Sequence, residues 1–212
     1  MNIEQKFISK NYSKGVTIIP KYIVVHETGN AAKGANADAH FKYWDTNDSA
    51  QASVHFVVDD TKIIQLLPLN AMAWHVGDNK GHSDITNSNT ISLEICINSD
   101  GDYVKARQNA IELVRHLINV TGIPADRVVT HNDASGKWCP AIMLTKKLWE
   151  DFKMEIRKSD EMTVPNDIAW EFGHRGLVTD IEGLKKEMEQ NPEGRLYWFA
   201  RKTLKYLQDR NI

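Results

Sequence analysis

Across residues 104–120 the apolar side chains of Ala106, Ala110, Leu113, Val114, Leu117 and Ile118 recur at helical spacing, and Gly122 with Pro124 closes the run. Short β-rich stretches lie on both sides of it, expected as strands at about residues 21–27, 53–59, 62–67, 90–97 and 127–131. Strands that alternate with helical patterns select an α/β fold, a central sheet covered by helices. The long helix would pack one face on that sheet. Further helices are expected over residues 35–44 and beyond Pro140, through Leu144, Leu148, Trp149 and Phe152.

At 212 residues the chain exceeds a typical single domain. Near Lys158 the stretch KSDEMTVPND interrupts the helical pattern with charge, a β-branched pair and Pro165. Residues 1–158 are therefore expected to form the main domain, 159–165 a linker, and 166–212 a small all-helical domain. In that tail Asn166 or Asp167 and then Asp180 can cap helices, and NPEG breaks before a longer one. Trp170, Tyr197 and Trp198 have flat faces that suit sugars, yet aromatic residues at helical spacing are more often core.

The chemistry-bearing residues are concentrated in THNDASGKWCP, which sets His131 and Cys139 eight positions apart, and in KYIVVHET, which adds His26. Imidazole nitrogen and thiolate sulfur are zinc donors, and a catalytic zinc takes three protein ligands and keeps one position open. Structural sites use four ligands in close pairs, and no such spacing occurs here. With only two cysteines, Cys96 and Cys139, neither a four-cysteine cluster nor a disulfide scaffold is available. The set suits an open site.

Composition narrows the partners. The chain carries 26 basic and 28 acidic residues with no dense basic patch, which argues against nucleic acid and for a neutral or mixed polymer. No segment is long enough to span a membrane. The stretch MNIEQKFISKNYSKG lacks the apolar run of a secretory signal, so synthesis in the cytoplasm is expected, where a free thiolate can await metal.

YIVVHETGN, SVHFVVDD, AWHVGD, ISLEI and THNDASGKWCP occur here in the order in which the zinc-dependent N-acetylmuramoyl-L-alanine amidases carry similar blocks. Over roughly residues 20–156 the chain resembles that family, of the T7 lysozyme and peptidoglycan-recognition-protein type found in endolysins of Gram-positive hosts. The resemblance implies a central mixed β-sheet flanked by helices, one Zn2+ held by His26, His131 and Cys139, Glu94 as catalytic carboxylate, and Lys137 as the cation beside the reacting carbonyl. It implies peptidoglycan as substrate, action on the cell wall after holin-dependent release, and a wall-polymer ligand for the helical tail. A tail that packs on the main domain or mediates dimerisation is the alternative.

The residues support parts of this independently. Glu94 lies in the otherwise apolar ISLEICI, where an ionised carboxylate costs several kcal/mol unless it has partners or a site to face. Lys137, two positions before Cys139, would by itself read as a solvated lysine. Cys139 falls at a helix entrance, where free amides can hold a thiolate. His55 alternates with Val54 and Phe56, so it points either to the cleft or into the core. Trp74 and His75 are substrate-contact candidates, whereas His40, His82, His116 and His174 read as surface or packing residues and Cys96 as a small buried thiol. Besides the metallo-amidase, a non-catalytic peptidoglycan-recognition module and a cysteine hydrolase with Cys139 as nucleophile and His131 as base remain open.

Overall fold

The structure is a computed structural model and describes residues 2–77 and 82–157. Its strands are β1 (Ile3–Gln5), β2 (Tyr12–Thr17), β3 (Tyr22–Glu27), β4 (Phe56–Val58), β5 (Ile63–Gln65), β6 (Ala71–Ala73), β7 (Thr90–Ile95) and β8 (Val128–Thr130). Its α-helices are α1 (Ala37–Thr46), α2 (Tyr103–Thr121), α3 (His131–Ser135), α4 (Ala141–Thr145) and α5 (Trp149–Arg157). The expected tail, with Trp170, Tyr197 and Trp198, lies outside the described residues.

A six-stranded mixed sheet runs in the order β1-β5-β4-β7-β3-β8, and β2 pairs with β6 in a separate antiparallel ribbon. The centre of the large sheet is parallel: β7 lies between β4 and β3, and β3 between β7 and β8. These strands are buried on both faces, which explains why their sequences are near-continuous apolar runs.

Strand alternation divides the side chains between two layers. Ile23 and Val25 of β3, with Ile91, Leu93 and Ile95 of β7, meet α2 and α5 through Ala106, Ala110, Leu113, Val114, Leu117, Phe152 and Ile156. Each buried Leu, Ile or Phe contributes about 1.5–3 kcal/mol relative to exposure. The intervening residues, His26, Ser92 and Glu94 among them, are left for the opposite face. On that side Ala37 and Trp44 of α1 pack with Val57, Ile64 and Cys96, so Cys96 is the buried thiol expected.

The helices begin and end where local chemistry dictates. Asp102 caps α2 by accepting from the Val104 and Lys105 amides, and Gly122 ends it at φ 73°, a left-handed position that favours glycine. The single helix expected after Pro140 is instead two, because Lys147 adopts φ 57° and breaks the run between α4 and α5.

Candidate active site

Register places the first two functional residues. His26 near the end of β3 is directly paired with Glu94 of β7, and both belong to the face turned away from α2. His131 follows β8 immediately and opens α3, so the parallel β3–β8 pairing delivers it beside His26 with ring centroids 4.6 Å apart.

Cys139 is brought back by the intervening turn. The Thr130 hydroxyl accepts from the Asp133 amide and the Asp133 carboxylate accepts from the Thr130 amide, a capping box that starts α3. Gly136, at φ 79°, ends this short helix. Asn132 then clips the loop: its backbone N–H donates to the Cys139 carbonyl at 3.0 Å and its side chain donates to the Gly136 and Lys137 carbonyls at 3.0 and 3.3 Å. A spacing of eight in sequence becomes adjacency in space.

One donor atom each from His26, His131 and Cys139 lies within 4.8 Å of the others, and all three residues are buried. Burial, reinforced by His75, His131 and Lys137, holds the His26 ring well below the usual imidazole range. Burial and Lys137 bring His131 down to about 4. The Cys139 thiol is pushed up to about 12, by burial first and the Glu94 carboxylate second. Two neutral imidazoles and a sulfur so disposed fit one zinc-sized cation with an open position.

The free helix-entrance amides expected to hold the Cys139 thiolate are taken by another group. Glu27, buried beside His26, accepts from the Ile142 amide at 2.7 Å and the Met143 amide at 3.2 Å, and the Tyr103 hydroxyl donates to the same carboxylate. Glu27 thereby fastens α4 to β3. Cys139 itself lies 3.9 Å from the Glu27 carbonyl. Sequence reading missed Glu27, although a carboxylate closing an apolar strand signals a need for buried partners.

A cavity of about 240 Å³ is lined by Glu27, Glu94, Lys137, Trp74, His75 and Trp138 as well as the three metal-binding candidates. Glu94 Oε2 is enclosed without a hydrogen-bond partner. Burial pushes this carboxyl up to about 8 despite the opposing Lys137 charge. Trp138, which sequence reading passed over, is 60% exposed, a large aromatic left at the cavity mouth.

The substrate-contact candidates divide. Trp74 lines the cavity while its indole N–H donates to Ser13 Oγ at 2.9 Å. His75 lines it too, but both its ring nitrogens are engaged, one with His26 and one with Thr90. His55 is corrected: it is fully buried, absent from the cavity wall, and bonded through its ring to Ser92 and the Ala71 carbonyl. Alternation did turn it to the opposite side of the sheet. Residues 71–73 cover that side, and β6 was not among the expected strands.

The model of the N-acetylmuramoyl-L-alanine amidase family matches residues 16–142. The chain belongs to this amidase family. Among its relatives, the Bacillus subtilis amidase CwlH is 42% identical over 162 residues, covering 76% of this chain and 63% of CwlH. The B. subtilis amidase XlyA is 44% identical over 158 residues, covering 74% of this chain and 51% of XlyA. The chain thus spans roughly half to two thirds of these amidases' lengths. The solved catalytic domain of XlyA superposes with a TM-score of 0.67 at 44% identity, covering 74% of this chain and 99% of that domain. The amidase fold expected from the five sequence blocks is therefore the fold observed.

Proposed function

We propose that this chain is a zinc-dependent amidase that hydrolyses the bond between the lactyl group of N-acetylmuramic acid and the L-alanine of the peptidoglycan stem. The observation that carries the reading is the cluster of His26, His131 and Cys139 in one cavity wall with the unpartnered Glu94 carboxylate and Lys137. Membership of the amidase family supports it.

Zinc held by His26, His131 and Cys139 would supply Lewis acidity to water and to the scissile carbonyl, and its charge would draw the Glu94 carboxyl down from its raised value. Glu94 then accepts the proton of the attacking water and returns it to the leaving nitrogen. A carboxyl poised near the working pH does both with little loss of driving force. Lys137 places a fixed positive charge where the carbonyl oxygen becomes negative, an effect worth about 3 kcal/mol. Trp74 and Trp138 offer the glycan and stem flat apolar faces.

The cysteine-nucleophile alternative is poorly supported by this site. A reactive thiol needs a depressed pKa, and burial raises that of Cys139. For residues 166–212 we propose attachment to a wall polymer, with action at the cell wall. No helix among the described residues is long and apolar enough to cross a membrane.

The test is turbidity loss of purified Gram-positive walls with zinc-loaded, chelator-stripped and zinc-restored protein, with new amino termini and reducing sugars assayed together. Zinc-dependent lysis that frees L-alanine amino groups without reducing sugars is expected. Metal-independent lysis would establish the thiol nucleophile, and wall binding without cleavage a recognition module.

A further inference from the structure

Three short contacts connect His26 to a main-chain carbonyl. His26 Nε2 lies 3.0 Å from His75 Nδ1, His75 Nε2 lies 2.8 Å from Thr90 Oγ1, and Thr90 Oγ1 lies 2.8 Å from the Thr86 carbonyl oxygen. The direction of every bond follows from the last. A carbonyl only accepts, so the single hydroxyl proton of Thr90 goes to Thr86. Thr90 Oγ1 then faces His75 as an acceptor, and His75 must carry its proton on Nε2. His75 Nδ1 is left as a lone pair, so the proton of a neutral His26 is on Nε2. Its bare nitrogen is Nδ1, the atom 3.9 Å from Cys139 Sγ.

We infer that His75 is a positioning residue whose ring, oriented by Thr90, holds His26 in the Nε2–H form with the Nδ1 lone pair facing Cys139. The segment that carries His75 is itself fixed. Asn87 Oδ1 accepts from both the His75 and the Val76 backbone amides, at 3.0 and 3.1 Å. A clamped segment of AWHVGD thus places the ring that orients His26. Partners of this kind commonly change metal affinity 10- to 100-fold when removed.

The inference rests on the zinc reading for its purpose, but its first measurement needs no metal. In the full chain, labelled with 15N-histidine and stripped by chelator, two-bond 1H–15N correlation spectra at a pH where the rings are neutral read each tautomer directly. His26 is expected with its proton on Nε2 and a bare Nδ1. Thr90→Val removes the acceptor for His75 Nε2 and should let His75 place its proton on Nδ1, shifting His26 toward the Nδ1–H form. His75→Phe should weaken zinc binding about 10- to 100-fold in competition with a chromophoric chelator. His75→Asn, which restores an acceptor near the Nδ1 position, should recover most of the loss. A wild-type His26 protonated on Nδ1 would overturn the inference. So would folded Thr90→Val and His75→Phe proteins with unchanged tautomer and zinc affinity. If the wild type shows the expected tautomer yet binds no zinc, the metal reading fails and the tautomer assignment stands.

Discussion

His26 and Glu94 are register partners on adjacent parallel strands, so a metal-binding candidate and an unpartnered carboxylate project side by side from one face of the sheet. The two are unlike in need: the histidine is satisfied by His75, whereas Glu94 Oε2 has no internal partner. Such a carboxylate opposes folding in the metal-free protein. With its pKa raised from 4.5 to about 8, the folded state binds more protons than the unfolded one, so stability falls as pH rises through that window. Glu94→Gln should lower kcat by about 10²- to 10⁴-fold. In chelator-stripped protein it should also raise stability on the order of 2–4 kcal/mol at pH 8, with little gain at pH 4.5. Thermal melts across that range, run beside the wall-lysis assay, check both halves. An equal gain at every pH would contradict the assignment.

Glu27 performs a different task one residue from His26. Its carboxylate gathers the Ile142 and Met143 amides and the Tyr103 hydroxyl, joining α4 and α2 to the end of β3. Glu27→Gln replaces one acceptor oxygen with an amide NH2 that confronts donors, which should cost about 2–4 kcal/mol. Because Cys139 lies just before α4, zinc affinity should fall as well. Tyr103→Phe leaves the two amide bonds in place and should cost only about 1 kcal/mol. Denaturant melts paired with chelator competition separate the two effects.

Much of this site was legible because strand parity and chemistry coincide. An ionisable residue inside an apolar run, as with Glu94 in ISLEICI, has to face something other than core, and His26 alternates with Val25 in the same way. What stayed hidden depends on pairings distant in sequence. The ribbon that covers His55 joins three-residue β6 to β2, whose sequence YSKGVT has no apolar alternation. Five-residue α3 starts where β8 ends, so His131 read as the end of a strand. The break at Lys147 is invisible to periodicity, since Leu144 and Leu148 remain in phase across it. Glu27 and Thr90 gain their roles only from partners in other elements.

Asn132 illustrates how one side chain can set the distance between two others. Its two side-chain donations to the Gly136 and Lys137 carbonyls shape the loop carrying both Lys137 and Cys139. Asn132→Ala keeps the backbone bond to Cys139 and removes the rest. A stability loss of about 1 kcal/mol is expected, with a disproportionate fall in kcat of about tenfold as Lys137 loses its fixed position. Kinetics on a soluble muramyl-peptide amide would show the fall in kcat with little change in KM. A change confined to KM would assign the loop to substrate binding instead.

His55 gives the molecule an acid sensitivity that has no part in catalysis. The Ser92 amide donates to its Nδ1 at 3.1 Å, so that nitrogen is an acceptor, and Nε2–H donates to the Ala71 carbonyl at 3.0 Å. Protonating Nδ1 would set two N–H groups against each other inside the core. Burial accordingly lowers this imidazole to about 4, against about 6.5 in the unfolded chain. Below pH 6.5 the unfolded state takes up a proton that the folded state refuses, so stability present at neutral pH is lost as pH falls toward 4. The loss amounts to about 3 kcal/mol. His26, His40, His75 and His131, also lowered by burial, add to the same slope, so the contribution of His55 has to be read as a difference. His55→Asn keeps an acceptor for the Ser92 amide but cannot titrate. It should be less stable than wild type at pH 7.5 by about 1–3 kcal/mol and should close most of that gap by pH 4.5. Parallel pH–stability curves of equal separation throughout would show that His55 takes up its proton without penalty.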